Sequence, residues 1–255
     1  MDLLAINNSQ DVIAARTAAI RESVLRESRC IRQPNFERIA TDDLARLFSL
    51  YDRGFFGGWL GQAVKDRTGA AVVFSLSSRM TRAGGKTIRH WRSWQRVLLV
   101  THYEIAIASR LLFMTFGGIE RPVAVCGLAC TDRLQALQRI MEHEIIHLAE
   151  MIVWDESSCS RPRFRKLAER IFGHKDAKHD LVTPREQAFV QHGLRVGSMV
   201  GFEFQGRSQV GRVNRISRRA TVLVEDGGGM AYSDGKKYRK YYVPVDLLRL
   251  MGKHS

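Results

Sequence analysis

Apolar residues recur at helical spacing over residues 9–29, where Val12, Ile13, Ile20, Val24 and Leu25 share a face and Thr17 fills the gap between Ile13 and Ile20. A second stripe of Leu44, Leu47, Phe48, Leu50 and Tyr51 predicts a helix opened by Thr41 as its N-cap. From 54 to 63 the large residues Phe55, Phe56, Trp59 and Leu60 interleave with Gly57, Gly58 and Gly61, a pattern that reads as a tight turn plugged into the core. Residues 70–76 form a short apolar strand, and 77–87, SSRMTRAGGKT, follow as a polar and basic turn in which Gly84 and Gly85 permit unusual backbone angles. Tyr103, Ile105 and Ile107 alternate with Glu104, Ala106 and Ala108, which predicts another strand from about residue 97. An antiparallel pairing of that strand with 70–76 is the economical arrangement.

The strongest periodic segment starts at Thr131, a good N-cap with Asp132 behind it, and runs through Leu134, Leu137, Ile140, Met141, Ile145, Leu148, Ala149 and Ile152. Pro162 opens the next helix, built on Phe164, Leu167, Ala168 and Ile171 and stopped by Gly173. Beyond residue 193 the pattern changes to short strands, at 198–205, 209–216, 220–224 and 238–245. Turn signals separate them at Gly206, at Asp226 with Gly227 to Gly229, and at Asp234 with Gly235. The chain therefore divides near residue 194, into an α+β domain with a small antiparallel sheet over 1–193 and a small all-β barrel over 194–255. Pro244 puts the last strand of that barrel at an edge or near its end.

Charge adds a partner to this picture. A net +14 draws polyanions, DNA foremost and RNA as a second possibility. Residues 195–255 carry twelve Lys or Arg against five Asp or Glu, half of the excess. Arg212, Arg215, Arg218 and Arg219 fall on or beside one hairpin, while Lys236, Lys237, Arg239 and Lys240 cluster with Tyr232, Tyr238, Tyr241 and Tyr242. Basic groups that neutralise phosphates beside rings that stack on bases describe a nucleic-acid surface, and the same tyrosines also suit a barrel core. Arg79, Arg82 and Lys86 form a second basic cluster, expected to cap strands and pair with helix carboxylates. The apolar run from about 97 to 116 is interrupted by His102, Glu104 and Arg110, which excludes a membrane span. The opening residues do not read as a signal peptide, and Cys30, Cys126, Cys130 and Cys159 are too few for a disulfide scaffold. A reducing compartment follows, cytoplasmic or nucleoid-associated.

Chemistry concentrates at Met141 to Leu148, which reads MEHEIIHL. His143 and His147 lie four apart and project to one side of the helix, so both imidazoles can meet one ion. Glu144 projects near the same cleft, where it can take a proton from a metal-activated water. Zinc, the expected metal, needs a third protein ligand. Cys159, just ahead of the Pro162 helix, is preferred, with His174 at the far end of that helix as the alternate and His179 in the loop beyond. Glu150 lies on the side of the two histidines and suits a role in holding a ligand's other ring nitrogen.

The blocks LFSLYDRGFFGGWLGQAV at 47–64, SSRMTRAGGKT at 77–87 and HEIIH at 143–147 together resemble the SprT-like zinc metallopeptidases, a group that includes the DNA-dependent protease Spartan. The resemblance covers roughly residues 41–174 and implies a zincin-like fold, bound zinc and hydrolysis of peptide bonds. Members of that family use the two helix histidines and a further histidine ahead of a helix with a downstream phenylalanine. Phe164 stands in the matching place here, but Cys159 and Ser160 stand where the histidine is sought. Zinc would then polarise the scissile carbonyl while Glu144 removes the proton of water, with Tyr103 as a candidate oxyanion donor and strand 103–108 offering its edge to an extended substrate. The C-terminal strands resemble an SH3-like barrel. The competing expectation is a nucleic-acid-binding or regulatory protein whose zinc site is structural or inactive.

Overall fold

Ser9 accepts the Val12 amide through its hydroxyl and so opens α1 (Gln10–Glu27), the first element of a computed structural model that describes residues 1–94 and 97–251. The described residues form a mixed α+β molecule with seven α-helices and three small sheets. Two compact units result, Met1–Leu181 and Val182–Ser255.

In the first unit α1 is followed by α2 (Thr41–Phe56) and α3 (Trp59–Thr68). Thr41 is the first helical residue rather than the cap, and the block of aromatics and glycines is two helix ends rather than one turn. Only Gly57 and Gly58 leave helical geometry, at φ +62° and +81°, angles that glycine adopts without a Cβ penalty. The Asp52 carboxylate then accepts the Leu60 and Gly61 amides at 2.9 Å each, so the end of one helix caps the start of the next.

The first sheet contains β1 (Val73–Leu76), β2 (Gly85–Trp94) and β3 (Val97–Ile107), in the order β1-β3-β2. The expected antiparallel pairing of 70–76 with β3 is wrong: β1 runs parallel to β3, with Phe74 opposite Ile105. The antiparallel partner is β2, with Thr87 opposite Ile105, in a segment whose start reads as turn by sequence. A hairpin is the short connection available to β3, and β2 occupies it. Over residues 104–107 β3 is thereby central and paired on both sides, so it has no open edge there for a substrate, and β1 and β2 are the edge strands.

Next come α4 (Ser109–Thr115), β4 (Ala124–Val125), β5 (Leu128–Ala129), α5 (Arg133–Trp154), α6 (Pro162–Phe172) and β6 (His179–Asp180). Asp132, not Thr131, caps α5, accepting the Gln135 amide at 3.0 Å while Arg21 pairs with the same carboxylate. α5 is the centre of the unit, buried on nearly every side. Its apolar residues meet the core and its charged ones must find partners within the protein. β4 pairs with both β5 and β6, and the register Val125 opposite His179 brings residue 179 back beside α5.

The second unit opens with α7 (Pro184–His192) and continues as a five-stranded antiparallel sheet. Its strands are β7 (Met199–Phe204), β8 (Arg207–Ile216), β9 (Ala220–Ala231), β10 (Lys237–Val243) and β11 (Arg249–Leu250), in the order β10-β9-β8-β7-β11. Val200, Phe202, Val213, Val222 and Val243 form its core together with Ala188 of α7 and Leu194. Residues 182–193, placed by sequence with the first unit, thus fold with the second. Asp226 to Gly229 is not a turn either. β9 continues through it while the register slips opposite Lys237 and Tyr238, and a Cβ on Gly229 would lie 2.4 Å from the Tyr238 carbonyl carbon.

Candidate metal centre

One turn of α5 separates His143 from His147, and their Nε2 atoms lie 3.1 Å apart. The other nitrogen of each ring is held. His147 Nδ1 lies 2.7 Å from Ser157 Oγ, whose own hydroxyl donates to Glu150 Oε2 at 2.6 Å, and Arg163 donates to the other oxygen of Glu150 at 2.7 Å. Ser157 therefore accepts from His147, which places that ring's proton on Nδ1. Glu150 has the expected supporting role, exerted through a serine.

His143 Nδ1 faces Cys126 Sγ at 3.6 Å, and that thiol in turn donates to the Arg139 carbonyl at 3.8 Å. The sulfur is then the acceptor for His143 Nδ1–H. Both Nε2 atoms consequently turn lone pairs toward one another with no proton between them. A cation relieves that repulsion. Two imidazoles on one tetrahedral zinc, with bonds of about 2.0–2.1 Å, stand roughly 3.3 Å apart, close to the separation here. Phe164 of α6 packs on both rings at 4.8 and 4.5 Å between centroids and fixes their planes.

Two groups of side chains bring ligand atoms within 4.8 Å of one another: His143, His147 and Cys159, and His143, Cys126 and His179. The first has the free lone pairs. In the second, burial and then the nearby Glu142 carboxylate push the Cys126 thiol far up, so its proton is hard to remove. His179 Nδ1 accepts the Gly84 amide at 3.2 Å, which leaves its proton on Nε2, a nitrogen without a lone pair to give. That buried Nε2 has no hydrogen-bond partner. His179 is therefore a hydrogen-bond donor beside the site. His174, the alternate third ligand from sequence, is elsewhere. Its Nε2 bonds Glu142 Oε2 at 2.8 Å, because residue 142 projects about 100° around the helix from 143, given ~3.6 residues per turn.

Glu144 is buried, and Thr87 of β2 places its hydroxyl 2.8 Å from Oε2. Burial raises its carboxyl to about 7, with the Thr87 hydrogen bonds working against the rise. The glycine pair at the start of β2 is what lets this strand lie so close. A Cβ on Gly85 would sit 2.7 Å from Glu144 Oε1, and one on Gly84 would sit 2.9 Å from His179 Nδ1. The cleft above these groups encloses about 570 Å³ and is lined by His143, Glu144, His147, Cys159 and His179. Tyr103 is fully buried in β3 and does not line it. Comparison with family models, curated proteins and solved structures gave no match.

Burial, reinforced at His143 and His179 by the neighbouring imidazoles, holds His143 well below the usual 6.5 and brings His147 and His179 to about 4. The unfolded chain takes up protons that these rings refuse, so their contribution to stability is complete above pH 6.5 and is lost as pH falls toward about 4. Glu144 acts in the opposite sense, losing stability as pH rises toward about 7, but it is one group against three. Chelator-treated protein is accordingly expected to melt at a lower temperature at about pH 5 than near neutrality. An unchanged or higher melting temperature in acid contradicts this account of the rings.

All eight predicted nucleic-acid contacts are exposed in the second unit. They are not equally free. Arg212 pairs with Asp234, Lys236 with Glu225 and Arg239 with Asp226, and Lys240 lies over the Tyr232 ring. Arg215, Arg218, Arg219 and Lys237 have no carboxylate partner among the described residues. Tyr238 packs on Tyr232, and Tyr241 packs on Phe202 and Phe204, so only Tyr242 of the cluster is strongly exposed. Among the described residues no helix is long and apolar enough to cross a membrane.

By sequence alone His179 falls in a loop, Ser157 carries no role and Thr87 ends a turn. The signal for the last of these lies in the paired Gly84 and Gly85, which only a close approach requires.

Proposed function

We propose that the chain is a zinc-dependent endopeptidase of the SprT-like kind, with a zincin-like first unit and an SH3-like second unit, acting on proteins associated with nucleic acid in the cytoplasm or nucleoid. The observation that carries this reading is the pair of Nε2 atoms, 3.1 Å apart, whose rings are held at their other nitrogens, beside a buried carboxylate outside both groups of converging ligand atoms. His143, His147 and Cys159 would hold zinc, which supplies Lewis acidity to water and to the scissile carbonyl. Glu144 takes the proton from water and returns it to the departing amine. His179 Nε2–H is suited to steady negative charge on the substrate oxygen, in place of Tyr103. The basic second unit would hold the polyanion that brings substrates near, preferably DNA.

The cysteine favours one competing reading. Thiolate gives zinc more charge than imidazole does and weakens it as a Lewis acid, which suits a structural site in a nucleic-acid-binding or regulatory protein. Metal analysis with a protease assay separates the two. The peptidase reading expects one zinc per chain and cleavage of an unfolded protein that stops on chelation and returns with zinc. Bound zinc with no turnover, alongside salt-sensitive DNA binding, favours the second, and a folded chain that takes up no zinc overturns both.

A further inference from the structure

Three cations line the cleft beside the metal-ligand group. Arg82 and Lys86 flank the Gly84–Gly85 pair, and Lys178 precedes His179. All three are exposed, and none has an ion-pair or hydrogen-bond partner for its charged group among the described residues. The sequence expectation that Arg82 and Lys86 pair with helix carboxylates is not met. Most carboxylates around the site are already held by arginines, and Asp176, whose Oδ1 accepts the Lys178 amide at 2.8 Å, is the exception. Glu150 is held by Arg163, Asp155 by Arg67 and Arg89, Glu156 by Arg161 and Arg163, and Asp180 by Arg121. The carboxylate that does line the cleft is Glu144, which is buried.

The imbalance is therefore local and does not merely restate the net charge of the chain. Apart from Asp176, the acidic groups next to the cleft are neutralised by arginines outside it, while the three cations of the cleft are left with solvent. A charge without an internal partner is available to a bound molecule, and a cleft walled by protein focuses its field. From this we propose that the cleft selects peptide segments carrying Asp or Glu close to the bond to be cut, with Arg82, Lys86 and Lys178 as the residues that read them. The inference rests on the peptidase reading above. Peptide is favoured over nucleic acid as the occupant because the cations surround the group built to hydrolyse a carbonyl. The cleft, about 570 Å³, also has room for a few side chains and not for a duplex.

The test uses the full zinc-loaded chain and two fluorogenic peptides that differ only in Glu or Gln flanking the scissile bond. Engaging two or three exposed ion pairs predicts a kcat/KM about tenfold higher for the Glu peptide, shrinking as salt is raised. In the combined variant Arg82→Gln, Lys86→Gln, Lys178→Gln the ratio of the two peptides falls to about one. Comparing peptides on the unaltered chain keeps the test independent of how the variant folds. Cleavage of both peptides with a ratio of one or below overturns the acidic preference and leaves the peptidase reading standing, whereas failure to cleave either overturns that reading and the preference with it. A single-stranded oligonucleotide that displaces no peptide supports the assignment. One that competes for the cleft, and loses affinity in the combined variant while the wild-type chain shows no Glu preference, assigns these cations to nucleic acid instead.

Discussion

If the chain is the zinc peptidase proposed above, Glu144→Gln is expected to lower the turnover of a protein substrate by about 10²–10⁴-fold, the usual contribution of a positioned general base, and to leave one zinc bound. The separation of the two effects is the point of the substitution. Glu144 belongs to neither group of converging ligand atoms, so its loss removes no bond to metal. Gln has the same shape, and its amide oxygen can still accept from Thr87, which lies 2.8 Å from Oε2. What the amide cannot do is take a proton from water and hand it to the leaving amine. Burial already raises the Glu144 carboxyl to about 7, so replacing it with a neutral group relieves a desolvation cost, and thermal stability should hold or rise. Metal content, a melting curve and initial rates on one preparation decide the matter. A Gln variant that keeps its zinc and cuts within about tenfold of the parent removes Glu144 from the chemistry.

Glu144 is legible in the amino-acid sequence for a plain reason. Positions 143, 144 and 147 lie on one helix, where spacing alone determines relative direction. The same local periodicity marks α1, α2, α5 and α6, and alternation marks much of β7, β8 and β10. Long-range pairing is beyond its reach. β1 lies about thirty residues from its partner Glu104 to Ile107 and is only four residues long, so nothing in its own sequence distinguishes a parallel from an antiparallel neighbour. β4 and β6 are two residues each, too short for any pattern, yet their register puts His179 beside α5. His174 and Glu142 show the same limit from the other side. Both read as histidine and carboxylate near a metal motif, and only the packing of α6 shows that they bond each other away from it.

Glu142→Leu should cost about 3–5 kcal/mol, the effect of leaving one member of a buried charge cluster without its partner. Glu142 is fully buried, and its two oxygens accept from Tyr51 at 2.7 Å, from Arg139 at 2.9 Å and from His174 at 2.8 Å. Burial pushes its carboxyl up, but Arg139, His174 and Tyr51 outweigh burial and hold it below 4.5. Leu fills similar space and satisfies none of the three donors. For a chain of this size the loss corresponds to a fall in Tm of roughly 10 °C, read in excess chelator so that the neighbouring metal site does not enter. The sign of the pH dependence follows from the lowered carboxyl. Its contribution is present above 4.5 and disappears as pH falls through the folded-state value, so the gap between parent and variant narrows in acid. The double variant Arg139→Met, Glu142→Leu removes the stranded cation as well and is expected to recover much of the lost stability, as replacing a buried ion pair by apolar groups commonly does. If the double variant is no more stable than Glu142→Leu, the penalty lies with Tyr51 and His174, whose buried donors remain unpaired in both. That outcome would assign the cluster's strength to the Tyr51 and His174 hydrogen bonds rather than to the Arg139 charge.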